Sequence, residues 1–306
     1  MTGFRPKHLR WIAVDWGTTH LRVWAIGHDG QVIAGRNSDR GMAKLDRSEF
    51  EPAIRALIAD WIPADRDIPI IACGMVGSRQ GWAEAEYIAT PCAPPGVTHL
   101  ARPANTTLSV HILAGIKQVN PADVMRGEET QIAGYLRQQP DFDGVICLPG
   151  THTKWVRVSA GKVVRFQTFM TGELFGLLSE KSVLHQSVAT SGWDSSAFLQ
   201  AVDDAVAQPA PMAAELFRLR ASSLIDAMAP QKARARLSGL LIGLELAAAR
   251  PIWRDIKVTI VGRNDLAHLY QAGLEARGVS PEIAVCEDMA LAGLIAAYET
   301  WTMSVP

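Results

Sequence analysis

Cysteine is scarce in this chain. The four present, Cys73, Cys92, Cys147 and Cys286, are widely scattered and form no Cys-x-x-Cys pair, which suits neither a disulfide framework nor a zinc site. Reduced thiols acting as small apolar residues, mostly buried, are the expectation. An excess of one charge is also missing: thirty Lys+Arg stand against thirty-one Asp+Glu, for a formal net charge of -1. No global field therefore holds the chain on nucleic acid or an anionic membrane, and any anion site has to be local. Long apolar runs are lacking too. The stretch after the basic N-terminal residues is broken by Asp15 and Arg22, which excludes a secretory h-region and a membrane-spanning helix and makes the cytoplasm the expected location. There is no low-complexity tract and no long Pro/Ser/Gly linker. The absence of Gly-x-Ser-x-Gly, His-Glu-x-x-His and Walker A sequences removes the commonest competing enzyme readings.

What is present has the balance of a globular protein, with 48% hydrophobic and 20% charged residues in 306, enough chain for two domains sharing a cleft. Trp11 to Asp15 is an apolar run closed by an acid. It leads through Trp16-Gly17-Thr18-Thr19 into an alternating run from His20 to Ile26, and through Gly27-His28-Asp29-Gly30 into Gln31 to Ala34. That pattern predicts a three-stranded antiparallel meander. A helix from Glu49 to Trp61 and a buried strand from Ile68 to Cys73 follow.

The opening pattern returns in mid-chain. Gly144 to Leu148 runs into Pro149-Gly150-Thr151-His152-Thr153, then Lys154 to Val158, then Lys162 to Met170 after Ala160-Gly161. Gly17 and Gly150 lie 133 residues apart, and at that offset Thr18 falls on Thr151 and Val23 on Val156. The repeat suggests a duplicated domain. The last third predicts a helix from Leu237 to Ala249, a strand from Val258 to Val261, and a helix from Leu266 to Arg277. A strand from Ile283 to Cys286 and a closing helix from Met289 to Thr300 complete it. The boundary is expected near Gln138 to Asp143, giving domains 1–140 and 141–306, with the closing helix free to pack back on the first.

A turn of Gly and Thr gathers backbone N–H groups and short hydroxyls with little bulk to keep phosphate oxygens away. Thr18, Thr19, Thr151 and Thr153 also read as ordinary turn and strand residues, and for either hairpin alone both readings stand. Asp15 precedes the first turn where the second copy has Leu148, which fits an acid holding Mg2+ through its waters or one that caps the turn. Met125-Arg126-Gly127-Glu128-Glu129-Thr130-Gln131 opens a predicted helix running to Leu136. Its acids either complement the helix dipole or supply the carboxylate that a kinase needs to accept a hydroxyl proton.

Together these segments resemble the 2-dehydro-3-deoxygalactonokinases. The resemblance is carried by Asp15-Trp16-Gly17-Thr18-Thr19 with Arg22, by Met125 to Gln131, and by Pro149 to His152 with Lys154-Trp155-Val156. Met170 to Leu174, Leu237 to Gly243, and Gly74 to Ser78 with Gly81-Trp82 add to it, so that it spans nearly the whole chain. It implies an α/β protein of two RNase H-like domains, the actin-like ATPase fold, with the nucleotide cleft between them. It also implies ATP and Mg2+ as cofactors and phosphorylation of the 6-hydroxyl of 2-dehydro-3-deoxy-D-galactonate in galactonate breakdown. Glu128 ahead of Glu129 becomes the catalytic base by similarity to the wider sugar kinases. Gly17, Thr18, Thr19 and Arg22, with Gly150, Thr151, His152, Thr153 and Lys154, become the phosphate side. The adenosine side is Val258 to Asp265, with Gly262, Arg263 and Asn264 at its turn.

The sugar acid calls for an arginine and a few polar groups. The candidates are Arg79, Arg126 and Arg40, the loop residues Gly77 and Ser78, and Trp82 and Tyr87 as walls. Gly239, Gly243 and Ala247 mark a smooth helix face for close helix packing or for the adenine ring. A regulatory protein on the same fold, an ATPase without an acceptor, and a kinase of the 2-keto-3-deoxygluconate epimer are the alternatives. Only ten residues precede the first strand, too few for an appended helix-turn-helix. A small-molecule partner is expected, with no nucleic acid and no membrane; whether the chain forms a homodimer is left open.

Overall fold

The computed structural model describes residues 8–63, 65–94, 96–262, 264–284 and 289–304. The chain divides into two compact units. One comprises Met1–Phe142, Ala160–Arg165 and Cys286–Pro306; the other comprises Asp143–Ser159 and Phe166–Val285.

The first unit is built on the meander β1 (Leu9–Trp16), β2 (Leu21–Gly27) and β3 (Val32–Ser38), with β4 (Ile70–Gly74) parallel to β1. After β4 come β5 (Tyr87–Ala89), β6 (Gly96–Ala101), β7 (Val110–Gln118) and β8 (Asp123–Met125), and the sheet runs β3-β2-β1-β4-β7-β5, with β6 and β8 also on β7. β1 is apolar at nearly every position because both of its faces are covered. Ile12, Val14 and Trp16 pack with Phe50, Ile54 and Ile58 of α1 (Phe50–Ile58), while Trp11 and Ala13 pack with Leu294, Ala297 and Tyr298 of α8 (Met289–Ser304). Trp11 and Tyr298 stack with ring centroids 4.4 Å apart. The closing helix thus belongs to the first unit.

Beside α8 lies α2 (Glu128–Gln138). It starts three residues later than the Met125 onset the pattern predicts. Met125 ends β8, and Gly127 takes φ 106°, a backbone state outside the helix.

A second sheet repeats the plan: β9 (Gly144–Leu148), β10 (Thr153–Ser159) and β11 (Lys162–Phe169), with β12 (Val258–Ile260) parallel to β9 and β13 (Glu282–Ile283) parallel to β12. Its order, β11-β10-β9-β12-β13, matches β3-β2-β1-β4 strand for strand through the first four places. The Ala160-Gly161 turn has φ 49° and 70°, the backbone of a type I′ hairpin.

Residues 171–225, to which the sequence pattern assigned no element, fold into α3 (Thr171–Lys181), α4 (Ser195–Ala207) and α5 (Met212–Ile225). α4 is capped by Asp194, whose side chain accepts from Ala197 N at 2.9 Å, and buries Ala197, Phe198, Ala201, Val202 and Ala205. α6 (Pro230–Trp253) begins seven residues before the predicted Leu237, with Pro at its start, and packs on α4. The small face at Gly239 and Gly243 serves that packing. A Cβ at Gly239 would stand 2.3 Å from Phe198 O and one at Gly243 2.7 Å from Val202 O, so this stretch is closed to an adenine ring. α7 (Asn264–Glu275) covers the sheet beside α6.

Cys73 and Cys147 are buried and Cys92 half-buried, all three free; Cys286 lies outside the described residues. Among the described residues no helix is long and apolar enough to cross a membrane.

The α2–α8 contact sets where the first unit's acids stand. A Cβ on Gly293 would fall 1.8 Å from Thr130 O, and one on Gly134 2.1 Å from Met289 O. We expect Gly293→Ala to cost about 1–3 kcal/mol through forced separation of the helices. Urea unfolding that gives wild-type stability for this variant would show that the helices do not approach this closely.

Candidate active site

In the first unit the C-terminal ends of β1 and β4 and the N-terminus of α2 converge. Asp15 pairs across the sheet with Cys73, and Trp16 with Gly74. Gly74 has φ 91°, and a Cβ there would stand 2.7 Å from Trp16 O, so only glycine fits. A Cβ on Gly127 would lie 3.4 Å from Gly74 Cα, so the strand end and helix start nearly touch.

The Asp15 carboxylate has a side-chain exposure of 20% and accepts from Arg22 Nη2 at 2.5 Å and Nε at 3.1 Å through Oδ2. Its Oδ1 lies 3.7 Å from the Cys73 sulfur. Burial first, then the charges of Asp15 and Glu129, push the Cys73 thiol well up, so this cysteine is an inert neutral spacer between two acids.

Glu128 and Glu129 differ in environment. Glu129 is 1% exposed, with Oε2 accepting from Gly127 N at 2.7 Å and Oε1 from Thr130 Oγ1 at 3.2 Å. Burial, reinforced by Glu128, pushes its carboxyl up to about 8. Glu128 is half-buried and accepts from Arg126 N at 3.1 Å. Both acids thus turn back on the N–H groups at their own helix start. Glu129 is sealed there, whereas Glu128 keeps a face toward solvent.

The turn after β1 exposes Thr18 and Thr19, with Gly17 N donating to His20 O at 2.9 Å. Met42 N and Ala43 N donate to Gly17 O and Thr18 O, each at 3.0 Å, and hold the turn from behind.

The predicted sugar-acid residues separate. Arg126 is buried, its guanidinium 4.1 Å from the Tyr87 ring centroid, with Nε donating to Tyr87 Oη at 3.2 Å and Nη2 to Ala85 O at 2.7 Å. Its Nη1 has no protein partner, nor has the buried Ser78 Oγ, and a Cβ on Gly77 would crowd that Nη1 at 2.9 Å. Arg79 is exposed. Arg40 lies 3.5 Å from Glu49 while its carbonyl accepts from Trp16 Nε1. Trp82 is a correction to the pocket-wall expectation: it is 8% exposed and stacks on Phe50 beside Trp16, because its loop folds back onto the core.

In the second unit the turn after β9 carries Gly150, Thr151 and His152, the two latter exposed. Nothing stands within 4 Å of a Cβ built on Gly150, so bare backbone faces open space. Glu173 N donates to Thr151 O at 2.9 Å, and the Glu173 carboxylate meets His152 Nε2 at 2.6 Å. Gly262 follows β12 beside this turn, its built Cβ 3.3 Å from Pro149 Cδ. Asn264 is the first residue of α7, and Arg263 lies outside the described residues.

Thr153 is a second correction. It is fully buried and faces inward from the start of β10, where its Oγ1 meets Tyr270 Oη at 2.9 Å, so its hydroxyl is not presented on the exposed turn. Lys154 is buried as well, with Nζ 3.5 Å from His152 O. Beneath Thr153 sits an acid the motif reading missed, Glu245, pushed up to about 7 by burial against the hydrogen bonds of Thr171, Trp155 and Tyr270. Its signal was a lone acid in the apolar stretch Leu240 to Ala249 of a helix that packs on both sides.

Two α/β units with the same meander, a parallel strand beside each, and an exposed Gly-Thr turn at each first strand's end define the actin-like ATPase fold that sugar kinases use. The chain belongs to the 2-keto-3-deoxy-galactonokinase family, whose model matches residues 15–297. It is 40% identical to DgoK1 of Rhizobium meliloti (strain 1021), assigned as a 2-dehydro-3-deoxygalactonokinase, over 93% of this chain and 95% of that one. It is 30% identical to the 2-dehydro-3-deoxygalactonokinase of Escherichia coli (strain K12) over 93% of each. A crystal structure from Sinorhizobium meliloti, of a protein assigned the same activity, superposes with TM-score 0.88 at 39% identity over 95% of this chain and 98% of that one. Component A of Acidaminococcus fermentans (R)-2-hydroxyglutaryl-CoA dehydratase superposes with TM-score 0.55 at 14% identity, over 95% of this chain and 98% of that one, a likeness of fold alone.

Glu129 gives a pH test. Its carboxyl titrates at about 8 in the fold against an ordinary value of 4.5, so between these values the folded state holds a proton that the unfolded state has lost. Stability therefore falls as pH rises through that window. Glu129→Gln has no proton to lose, and its melting temperature should fall less steeply than wild type from pH 5 to 8. An unchanged slope would show that Glu129 is not the buried acid.

Proposed function

We propose that this kinase transfers the γ-phosphoryl group of ATP to the 6-hydroxyl of 2-dehydro-3-deoxy-D-galactonate, with Glu128 as the base. The observation that carries the assignment is the contrast at the start of α2, where Glu129 is sealed by Gly127 N and Thr130 while Glu128 stays half-exposed on the same turn. An acid that meets an incoming hydroxyl has to be reachable, and Glu128 is. The family and its named relatives support the substrate.

In this reading the first unit supplies the sugar-acid site and the first phosphate turn, and the second unit supplies the second phosphate turn and the adenosine side. Arg126 Nη1 and Ser78 Oγ, buried without protein partners, suit the acid's carboxylate or keto oxygen. Gly77 lets the backbone pack closely against Arg126, and the exposed Arg79 extends the same loop. Gly17, Thr18 and Thr19 with Arg22, and Gly150, Thr151 and His152 with Lys154 behind, offer N–H groups, hydroxyls and positive charge to the phosphates. Gly262 and the start of α7 lie on the adenosine side.

A single carboxylate suits Mg2+, which keeps several waters and takes one or two acids plus substrate phosphates, and Asp15, part-exposed at the end of β1, is the residue that would hold it. When bound, the ion neutralises charge on the β- and γ-phosphate oxygens. The acceptor oxygen bonds to the γ-phosphorus, the bond to the ADP oxygen breaks, and the hydroxyl proton passes to Glu128.

The test is ADP release with and without the keto acid, run also with its gluconate epimer. Glu128→Gln should lower kcat by about 10²- to 10⁴-fold with nucleotide affinity kept. Wild-type turnover in that variant, or ADP release indifferent to the keto acid, would overturn the assignment.

A further inference from the structure

We propose that Glu245 is a positioning residue for the second phosphate turn, holding both flanks of Gly150-Thr151-His152 from below through one carboxylate. The inference rests on the reading that this turn meets phosphate.

Glu245 is 2% exposed in the middle of α6. Its Oε1 accepts from Trp155 Nε1 at 2.7 Å, and its Oε2 accepts from Tyr270 Oη at 2.8 Å and from the Thr171 hydroxyl. A phenol has one proton. Since the Tyr270 proton goes to Glu245, the 2.9 Å contact between Tyr270 and Thr153 is one in which Thr153 donates. When ionised, this accept-only group fixes the rotors of Thr171, Tyr270 and Thr153 in a single direction.

Those residues are where the turn is attached. Thr153 is the first residue of β10, directly after the turn, and Thr171 is the first residue of α3. The next two residues of α3 press on the turn itself. A Cβ on Gly172 would stand 2.3 Å from Gly150 O, Glu173 N donates to Thr151 O at 2.9 Å, and the Glu173 carboxylate lies 2.6 Å from His152 Nε2. A glutamine would fill the same space, but its amide donates, so some of the three donors facing it must reverse. An acid here does more than pack: it sets the orientation of the groups from which the turn hangs.

The experiment compares wild type with Glu245→Gln, Tyr270→Phe, Thr171→Val and Thr151→Val at pH 8, above the Glu245 value of about 7. It reads affinity for ADP and for AMP and the KM for the keto acid. Glu245→Gln should weaken ADP about tenfold relative to AMP, the scale of one lost hydrogen bond to a charged group, with the keto-acid KM unchanged. Tyr270→Phe and Thr171→Val, each removing one bond and safer for folding, should move the ADP/AMP ratio in the same direction by less. A role in stability alone would lower melting temperature and leave the ratio as in wild type, and that result in all three variants overturns the proposal. Thr151→Val tests the underlying reading: if it leaves the ratio unchanged, the turn does not meet phosphate, whatever the Glu245 variants do.

Discussion

A carboxylate taken out of water has to be met by donors or neutralised, and each unit of this protein is organised around one that is. In the first unit Glu129 is enclosed at the head of α2, receiving Gly127 N and Thr130 Oγ1. In the second, Glu245 is enclosed in mid-helix, receiving Trp155, Tyr270 and Thr171. Both acids are almost fully buried and spend their acceptors on neighbouring protein groups.

The convergence in the first unit depends on backbone that only glycine supplies. Gly74 and Gly127, both at positive φ, let the end of β4 and the start of α2 come together, which brings Asp15 and the acid pair into one neighbourhood with Cys73 between them. The placement of α2 depends in turn on α8, which arrives from the far end of the chain and meets it through Gly134 and Gly293. Gly293, 278 positions from Asp15, thus helps hold the site's acids in place, a link carried by packing and not by chain proximity.

Much of this was legible in the residues. Period-two apolar runs joined by Gly-rich turns read correctly as strands, because a strand buried on both faces has to be apolar and a tight turn has to be Gly- or Asn-like. The 133-residue repeat showed that one meander occurs twice, and the second sheet has the order it implies. Helices α3 to α5 were not legible. α3 and α5 present weak apolar stripes, and they pack on α6 and on the short helical turn Val183–Gln186 rather than through a strongly periodic face.

The sequence by itself determined which residue types stand at the strand ends: Asp15, the two Gly-Thr turns, and the Arg126-Gly127-Glu128-Glu129 run. Their chemistry is local, so it is written in local order. Only the tertiary structure decided which of these side chains are reachable. Thr153 and Trp82 face the core, Glu129 is sealed while Glu128 is not, and Glu245 lies under a turn 95 residues away. Burial depends on which distant elements pack against a residue, so it cannot be read from that residue's neighbours in the chain.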